Sequence, residues 1–379
     1  MLQSGVSTRD TSVPREPRLE ARARAAQKMT IQENIPLAPL TTLQVGGAAR
    51  YFAQAQREDD VREAVEFAKP RQLPLFVLGG GSNLVIADSG WPGLVLQIAI
   101  GGLTSESSRD AVLFSVGAGQ HWDDFVEHAV TQNCAGIECL SGIPGSVGGT
   151  PVQNVGAYGQ EVADTIESVR VLDTKDNRIA VLPKPACGFR YRSSIFNRDG
   201  HGGERGRYII LKVNYRLKRG GAPSLKYADL QKHFADTKAP TLAAVRDAVR
   251  QIRRSKGMLI VPGDEDCRSA GSFFKNPVLN ETQFQDLGRR AQSRGLEIPH
   301  YPALEARHKV SAAWLVEHSG FTKGFRLGPA GISNKHALAL INTGDALAAD
   351  IIQLKNTIQQ RVQEIWGILL EPEPVFVGF

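Results

Sequence analysis

The segment SGIPGSVGGTPVQNVGAYGQE, residues 141–161, carries glycine at 142, 145, 148, 149, 156 and 159. Glycines this dense cost backbone entropy. That cost is reasonable where a backbone must press against a flat ligand or a pyrophosphate; a glycine-rich connection between sheets is the competing reading. Gln153, Asn154 and Tyr158 add polar and aromatic contacts. A second segment, VLGGGSNLVIA at 77–87, sets Gly79, Gly80, Gly81, Ser82 and Asn83 between two apolar runs. Its spacing is not G-x-G-x-x-G, and the G-K-[ST] ending of a P-loop is missing. Three glycines after a strand, followed by Ser and Asn, can still offer several backbone N–H groups to an anion. A tight turn accounts for the same letters equally well. Two such segments in one chain shift the balance toward a large cofactor with phosphates.

Short elements surround these segments. EDDVREAVEFAKPR (58–71) reads as an amphipathic helix, and PLFVLGG (74–80) as a buried strand running into glycines. GLVLQIA (93–99), AVLFSVGAG (111–119) and RYIILKVNYRLK (207–218) read as further strands. HWDDFVEHAVTQN (121–133) puts Trp122, Phe125, Val126, Ala129 and Val130 on one helical face. Thr241 is a plausible N-cap for a helix over 241–256, and Asn280 for one that Gly295 stops. A last helix over about 345–366 turns Ile351, Ile352, Ile358, Val362 and Ile365 inward. NRDGHGGERG (197–206) reads as an exposed loop. Strands dominate early and helices late, which points to α+β units rather than one doubly wound sheet.

At roughly 150 residues per domain, 379 residues suggest two or three domains. The net charge of +6 is uneven: residues 1–28 hold six basic and three acidic residues, half of the total. A body near neutrality argues against nucleic acid as a partner. Residues 1–28 have no hydrophobic period and are expected to be disordered, with Met29 a candidate start. No apolar run approaches the ~18 residues of a spanning helix, and no N-terminal segment resembles a secretory signal. A soluble, cytoplasmic, monomeric protein without a membrane partner is expected. Cys134, Cys139, Cys187 and Cys267 form no C-x-x-C pair and lack a His at zinc spacing. They read as reduced, mostly buried thiols, and no metal site is expected.

TTLQVGGAARYF, GGGSN, LSGIPGSVGGTPVQNVGAYG, FRYRSSIF, SAGSFFKNP and LEPEP occur in that order. Together they resemble the UDP-N-acetylenolpyruvoylglucosamine reductase family, from about residue 36 to residue 379. The resemblance implies an FAD-binding fold of the vanillyl-alcohol oxidase type, with two α+β flavin subdomains and a C-terminal α+β substrate domain. By analogy, a tail covers 1–34 and the first subdomain 35–100, joined by 351–379. The second covers 101–255 and the substrate domain 256–350. The implied cofactors are FAD and NADPH. The implied pyrophosphate cradle is Gly79, Gly80, Gly81, Ser82 and Asn83. The implied flavin lining is Ser141, Gly142, Ile143, Gly145, Gly148, Asn154, Gly156, Ala157 and Tyr158.

The implied reaction reduces an enol ether attached to a carboxylate on a UDP-sugar. Hydride passes from NADPH through FAD to the methylene carbon, and charge develops on the alpha carbon and its carboxylate. Such a reaction needs preorganised positive charge at the carboxylate and a proton donor at the alpha carbon. Arg192, in FRYRSSIF, matches the family's catalytic arginine, and a guanidinium can bind a carboxylate bidentately. Arg190 is its competitor, sharing a face with it if this is a strand. Glu373, in LEPEP, matches the family's glutamate, with Glu371 the alternative; beside a substrate carboxylate its pKa should rise. Ser272, in SAGSFFKNP, matches the proton donor, and Ser269 reads as structural.

Tyr227 and Lys256 match contacts to the substrate diphosphate, and Lys275 and Asn276 would face phosphate or nicotinamide groups. Tyr301 matches a tyrosine on a mobile loop found in one subclass of the family. The loop-bearing relatives often have glutamine where His336 stands. Two other functions compete: an oxidase of the same flavin fold, which would need no serine donor, and a flavin- or nucleotide-binding protein that lacks the three catalytic positions.

Overall fold

The computed structural model describes residues 29–199, 205–303 and 307–379. Strand β1 (Ile31–Pro36) lies antiparallel to β2 (Ala48–Ala55). The family analogy places residues 31–34 in the tail, yet they belong to β1. Backbone pairing to β2, rather than a buried face, makes them a strand. The expectation of disorder over 1–28 lies outside the described residues.

Helix α1 (Glu58–Ala68) crosses from β2 to β3 (Leu75–Leu78), and after β4 (Leu84–Ile86) comes β5 (Trp91–Ile98). The sheet order is β1-β2-β5-β3, with β5 parallel to both β2 and β3. A parallel pair needs such a long crossover. α1 buries Val61, Ala64, Val65 and Ala68. β3 is an edge strand, and its Val77 is exposed rather than buried as expected, because it lies on the wall of a large cleft.

The second sheet is antiparallel throughout. It comprises β6 (Leu103–Ser107), β7 (Ala111–Gly117), β8 (Ile166–Asp173), β9 (Arg178–Pro183) and β10 (Tyr208–Arg219), in the order β9-β8-β10-β7-β6, with the short strand Cys134–Ala135 also paired to β10. Helix α2 (Trp122–Thr131) buries the five apolar residues that its period predicts. One apolar core runs from α1 and β5 through α2 into this sheet, so the two subdomains are packed as a unit. The 141–161 segment connects α2 to β8 along the cleft. The expected loop at 197–206 is described only in part, since 200–204 lie outside the described residues.

The C-terminal part has a second core, which also takes in Leu43, Val45 and Val85 of the first subdomain. Helices α3 (Ala228–His233) and α4 (Leu242–Ser255) lead into it, and Thr241 Oγ1 accepts the Ala244 N–H at 3.1 Å as the expected cap. β11 (Val278–Leu279) precedes α5 (Glu281–Gln292), which Asn280 and Gln283 cap reciprocally. β12 (His300–Ala303) and β13 (Arg307–Val310) complete a small sheet in the order β11-β13-β12. Beyond α6 (Ala312–Glu317), β14 (Arg326–Leu327), β15 (Ala330–Ile332) and β16 (Leu340–Asn342) form another.

The last helix, α7 (Ala348–Trp366), buries Ile351, Leu354, Ile358, Val362 and Trp366. Ile352 and Ile365, expected inward, flank that stripe and are only partly buried. α7 packs in the C-terminal core, while β17 (Val375–Val377) returns to pair in parallel with β4. All four cysteines are buried and unpaired. Among the described residues no helix is long and apolar enough to cross a membrane.

Candidate active site

The cleft, about 1620 Å³, lies between the flavin-type subdomains and the C-terminal part. Its volume exceeds the ~300–1,000 Å³ of a pocket for one drug-sized ligand. The two glycine segments form one wall by stacking backbone on backbone. A methyl on Gly80 would lie 2.5 Å from Gly145 Cα, and one on Gly81 (φ +65°) 2.0 Å from Leu40 O. Ser82 Oγ donates to Pro144 O at 2.9 Å and locks the two together. Among the described residues the N–H groups of Gly80, Gly81 and Ser82 meet no acceptor. They form a cradle that suits a pyrophosphate. Gly149 lines the cleft, and a side chain there would meet nothing within 4 Å. These features fit FAD.

Ile143, Gly145, Gly148, Gly156, Ala157 and Tyr158 line the cleft, as do Gly79 through Asn83. Ser141, Gly142 and Asn154 do not: they stand behind the wall and brace it. Ser141 Oγ donates to Glu138 O at 2.6 Å. Gly142 donates its N–H to Asp123 Oδ1 at 2.6 Å, and its carbonyl accepts from Arg253 Nε at 3.0 Å. Burial would raise the Asp123 carboxyl, but Arg246, the Gly142 N–H and Arg250 outweigh it and hold it below the ordinary carboxylate range. Asn154 Nδ2 donates to Glu161 Oε2 and Arg190 O, and its Oδ1 accepts the Ala163 N–H.

The three candidate catalytic residues meet at the cleft through one backbone pairing. Glu373 N–H donates to Phe273 O at 2.9 Å, and Lys275 N–H to Glu371 O at 2.9 Å. SAGSFFKNP and LEPEP are thus held side by side, which sets half-buried Ser272 near Glu373. Phe273 and Phe274 are fully buried and anchor the loop. Gly271 is needed for its φ of +76°, not for close approach, since a side chain there would meet nothing. Ser269 is buried and accepts the Gly271 N–H at 3.3 Å, as a structural residue.

Arg192 reaches the same place from a tight turn in which Arg190 and Ser193 exchange backbone hydrogen bonds. The turn leaves Arg190 exposed and off the cleft, whereas a strand would have put both arginines on one face. Arg192 has φ +52°, a left-handed conformation that costs a non-glycine residue roughly 1–3 kcal/mol. Its Nη2 donates to Gly156 O at 2.7 Å, and its Nε lies 3.2 Å from Glu373 Oε1. Nε makes no aligned hydrogen bond among the described residues. Burial pushes the Glu373 carboxyl up, although Arg192 and Lys275 pull it down. Glu373 is 14% exposed at its side chain, while Glu371 is 70% exposed and pairs with Lys275.

Comparison with known proteins decides the family. Residues 49–182 match an FAD binding domain, and residues 262–377 match the UDP-N-acetylenolpyruvoylglucosamine reductase C-terminal domain. The reductase of Thermobifida fusca is 44% identical over 91% of this chain and 97% of its own. That of Streptomyces coelicolor is 41% identical over 97% of this chain and 95% of its own. The chain belongs to the UDP-N-acetylenolpyruvoylglucosamine reductase family. The crystal structure of the Thermus caldophilus reductase superposes with a TM-score of 0.61 at 27% identity, covering 92% of this chain and 99% of that one. The fold is the FAD-binding type of the vanillyl-alcohol oxidases joined to the reductase family's C-terminal domain.

Tyr227, Lys256 and Asn276 also line the cleft of this reductase family member. Tyr158 packs edge-on to Tyr227 at 5.2 Å, and Lys256 Nζ donates to Asp229 Oδ2 at 2.7 Å. Asn276 Oδ1 accepts the Ala312 N–H at 2.9 Å, which fixes the carboxamide. Tyr301 is 58% exposed on β12 and is not among the cleft residues. His336, which as a lone histidine reads as structural, lines the cleft beside this cluster. Its Nδ1 accepts the Leu338 N–H at 3.0 Å. Burial and the nearby Lys256, Lys323 and Arg253 push its pKa down to about 4. Sequence reasoning missed Arg253, Tyr191 and Lys309 as cleft residues. The helical period carries a signal for Arg253 alone, which falls in the buried stripe of α4 with Leu242, Val245 and Val249.

Proposed function

We propose that Arg192, Glu373 and Ser272 divide the work of reducing the enolpyruvyl ether of a UDP-sugar. As a member of its family, the chain is an FAD-containing, NADPH-dependent oxidoreductase that forms UDP-N-acetylmuramate in peptidoglycan precursor synthesis. Bound FAD, reduced by NADPH, supplies the hydride. The chain's own residues do the rest. Arg192 takes the substrate carboxylate, whose charge grows as the alpha carbon gains electron density. Glu373, with its carboxyl raised by burial, donates a hydrogen bond to the same carboxylate. Ser272 delivers its hydroxyl proton to the alpha carbon, a centre far more basic than water, and recovers one from solvent.

The observation that carries this reading is the Phe273–Glu373 backbone bond, which sets the Ser272 loop beside the Arg192–Glu373 pair. Tyr158, Tyr227 and Lys256 supply the cationic, aromatic end suited to a nucleotide diphosphate. Tyr301, on the β12–β13 hairpin, supports assignment to the subclass with the tyrosine loop. The cytoplasm, where UDP-sugars and NADPH are held, is the assigned compartment.

The purified protein should be yellow, and acid precipitation should release the colour to the supernatant. NADPH should bleach it, and the enolpyruvyl UDP-sugar should restore the colour under anaerobic conditions. A colourless protein, or bleached flavin that only dioxygen reoxidises, overturns the reading; the second result would favour an oxidase.

A further inference from the structure

Proton donor and carboxylate binder come from different parts of the molecule. Ser272 belongs to the C-terminal part, and Arg192 to a turn of the second flavin-type subdomain. Proton transfer requires their register to hold within about half an ångström. Tyr191, next to Arg192, spans that gap. Its phenol lies beside the Asn276 backbone N–H, four residues past Ser272, without an aligned hydrogen bond among the described residues. Its ring lies 4.9 Å from Lys309 Nζ on one side and 5.5 Å from Arg192 Cζ. Asn276 leads into β11 and Lys309 sits on β13; Val278 and Lys309 are register partners in that sheet. Both contacts therefore reach one small rigid unit.

Tyr191 is 41% exposed, so burying its ring is not what holds it there. A tyrosine with only a packing role would not need its face under an ammonium. The left-handed φ of Arg192 makes that turn the place where a small shift would move the guanidinium most.

We propose that Tyr191 is a positioning residue that pins the Arg192 turn to the Ser272 loop and keeps carboxylate binder and proton donor in register. The inference rests on the roles assigned above to Arg192 and Ser272. Hydride arrival needs only the substrate near the flavin. Protonation needs both anchors at once, so the second half-reaction bears the loss.

The test uses the holoenzyme in stopped flow, with NADPH and then the enolpyruvyl UDP-sugar. Tyr191→Phe keeps the ring under Lys309, and substrate-dependent reoxidation should slow by no more than about threefold. Tyr191→Leu removes both links and should slow it roughly 100-fold, the scale of a ~1 Å misplacement. Lys309→Met should fall between them. Flavin reduction by NADPH should stay within about twofold, since that step does not use the substrate carboxylate. The solvent deuterium effect on reoxidation should grow in Tyr191→Leu, as proton transfer becomes more limiting, and product affinity by calorimetry should hold. Wild-type reoxidation in both Tyr191 variants refutes the proposal. So does a parallel fall in both half-reactions that tracks melting temperature, which marks a scaffold role. Ser272→Ala is run alongside. If it too reoxidises normally, the donor assignment fails and this inference with it; if it is slow while Tyr191→Leu is normal, this inference alone fails.

Discussion

Ser272→Ala should separate catalysis from folding. Ser272 is half-buried, and its hydroxyl makes no hydrogen bond among the described residues. Its loss should therefore change stability by no more than about 0.5 kcal/mol. A positioned proton donor is worth ~100- to 10,000-fold in rate, about 3–5 kcal/mol of barrier. That loss should fall on the second half-reaction alone. Ser269→Ala, three residues away, should do the reverse. It is buried, and its Oγ accepts the Gly271 N–H at 3.3 Å. Removing it should cost about 0.5–1.5 kcal/mol of stability and little rate per folded molecule. Denaturant melts give the stabilities, and stopped-flow bleaching and recovery of the flavin give the two half-reactions. Ser272→Cys should recover part of the rate, since a thiol can also donate. Wild-type reoxidation in Ser272→Ala would show that Ser272 is not the donor. Equal losses in both alanine variants would show that the loop is merely disrupted.

Glu373→Gln removes a carboxyl whose folded pKa is raised by burial over the pull of Arg192. At this group the folded state then binds more protons than the unfolded one, so its contribution to stability is full below the ordinary carboxylate pKa of about 4.3 and is lost as pH rises through the folded value. Thermal melts across that window should show the Glu373→Gln variant gaining on the wild type as pH rises; parallel curves would count against a raised pKa. Gly80→Ala should destabilise the apo-protein by about 1–3 kcal/mol, because the methyl would meet Gly145 Cα at 2.5 Å. Gly149→Ala has open space and an ordinary φ, so it should leave apo stability unchanged and weaken FAD binding, as read by flavin fluorescence titration. Arg192→Lys keeps the charge but loses the fork; substrate-driven reoxidation should fall about 100- to 1,000-fold, as for loss of one oxyanion donor, while NADPH still bleaches the flavin at near the wild-type rate.

What the sequence revealed follows from where its signals are local. α4 was legible because Thr241 caps it and its period is clean. α2 was legible for the same reason, through its five-residue face. β1 was not, because its residues alternate in nothing and only β2 makes them a strand. The glycine segments announced a ligand wall, yet contiguous letters could not say which residues face the cleft. Gly142 and Asn154 point backward, into Asp123 and Glu161, for reasons that lie 19 and 7 residues away. The rivalry of Arg190 and Arg192 turned on strand against turn, and the deciding bonds are between Arg190 and Ser193. Tyr191 and Lys309 became visible only as partners, since each alone is an ordinary surface residue.

The pairing of Arg192 with Glu373 has a direction that the chemistry needs. An ionised glutamate at 3.2 Å would spend the arginine's charge and repel an incoming carboxylate. Burial works against that ionisation even with Arg192 and Lys275 nearby. A neutral Glu373 leaves the guanidinium free and becomes a donor itself, so both members of the pair can face one substrate carboxylate. Arg192 Nε, without an aligned hydrogen bond, is then the group held ready for it. The same balance explains the segregation of the carboxylates. Glu371, exposed, pairs with Lys275 at the rim, while Glu373, two residues on, is drawn inward by its N–H on Phe273 O. The backbone bond that brings Ser272 to the cleft thus also buries Glu373, and one loop pairing sets both groups of the proposed chemistry.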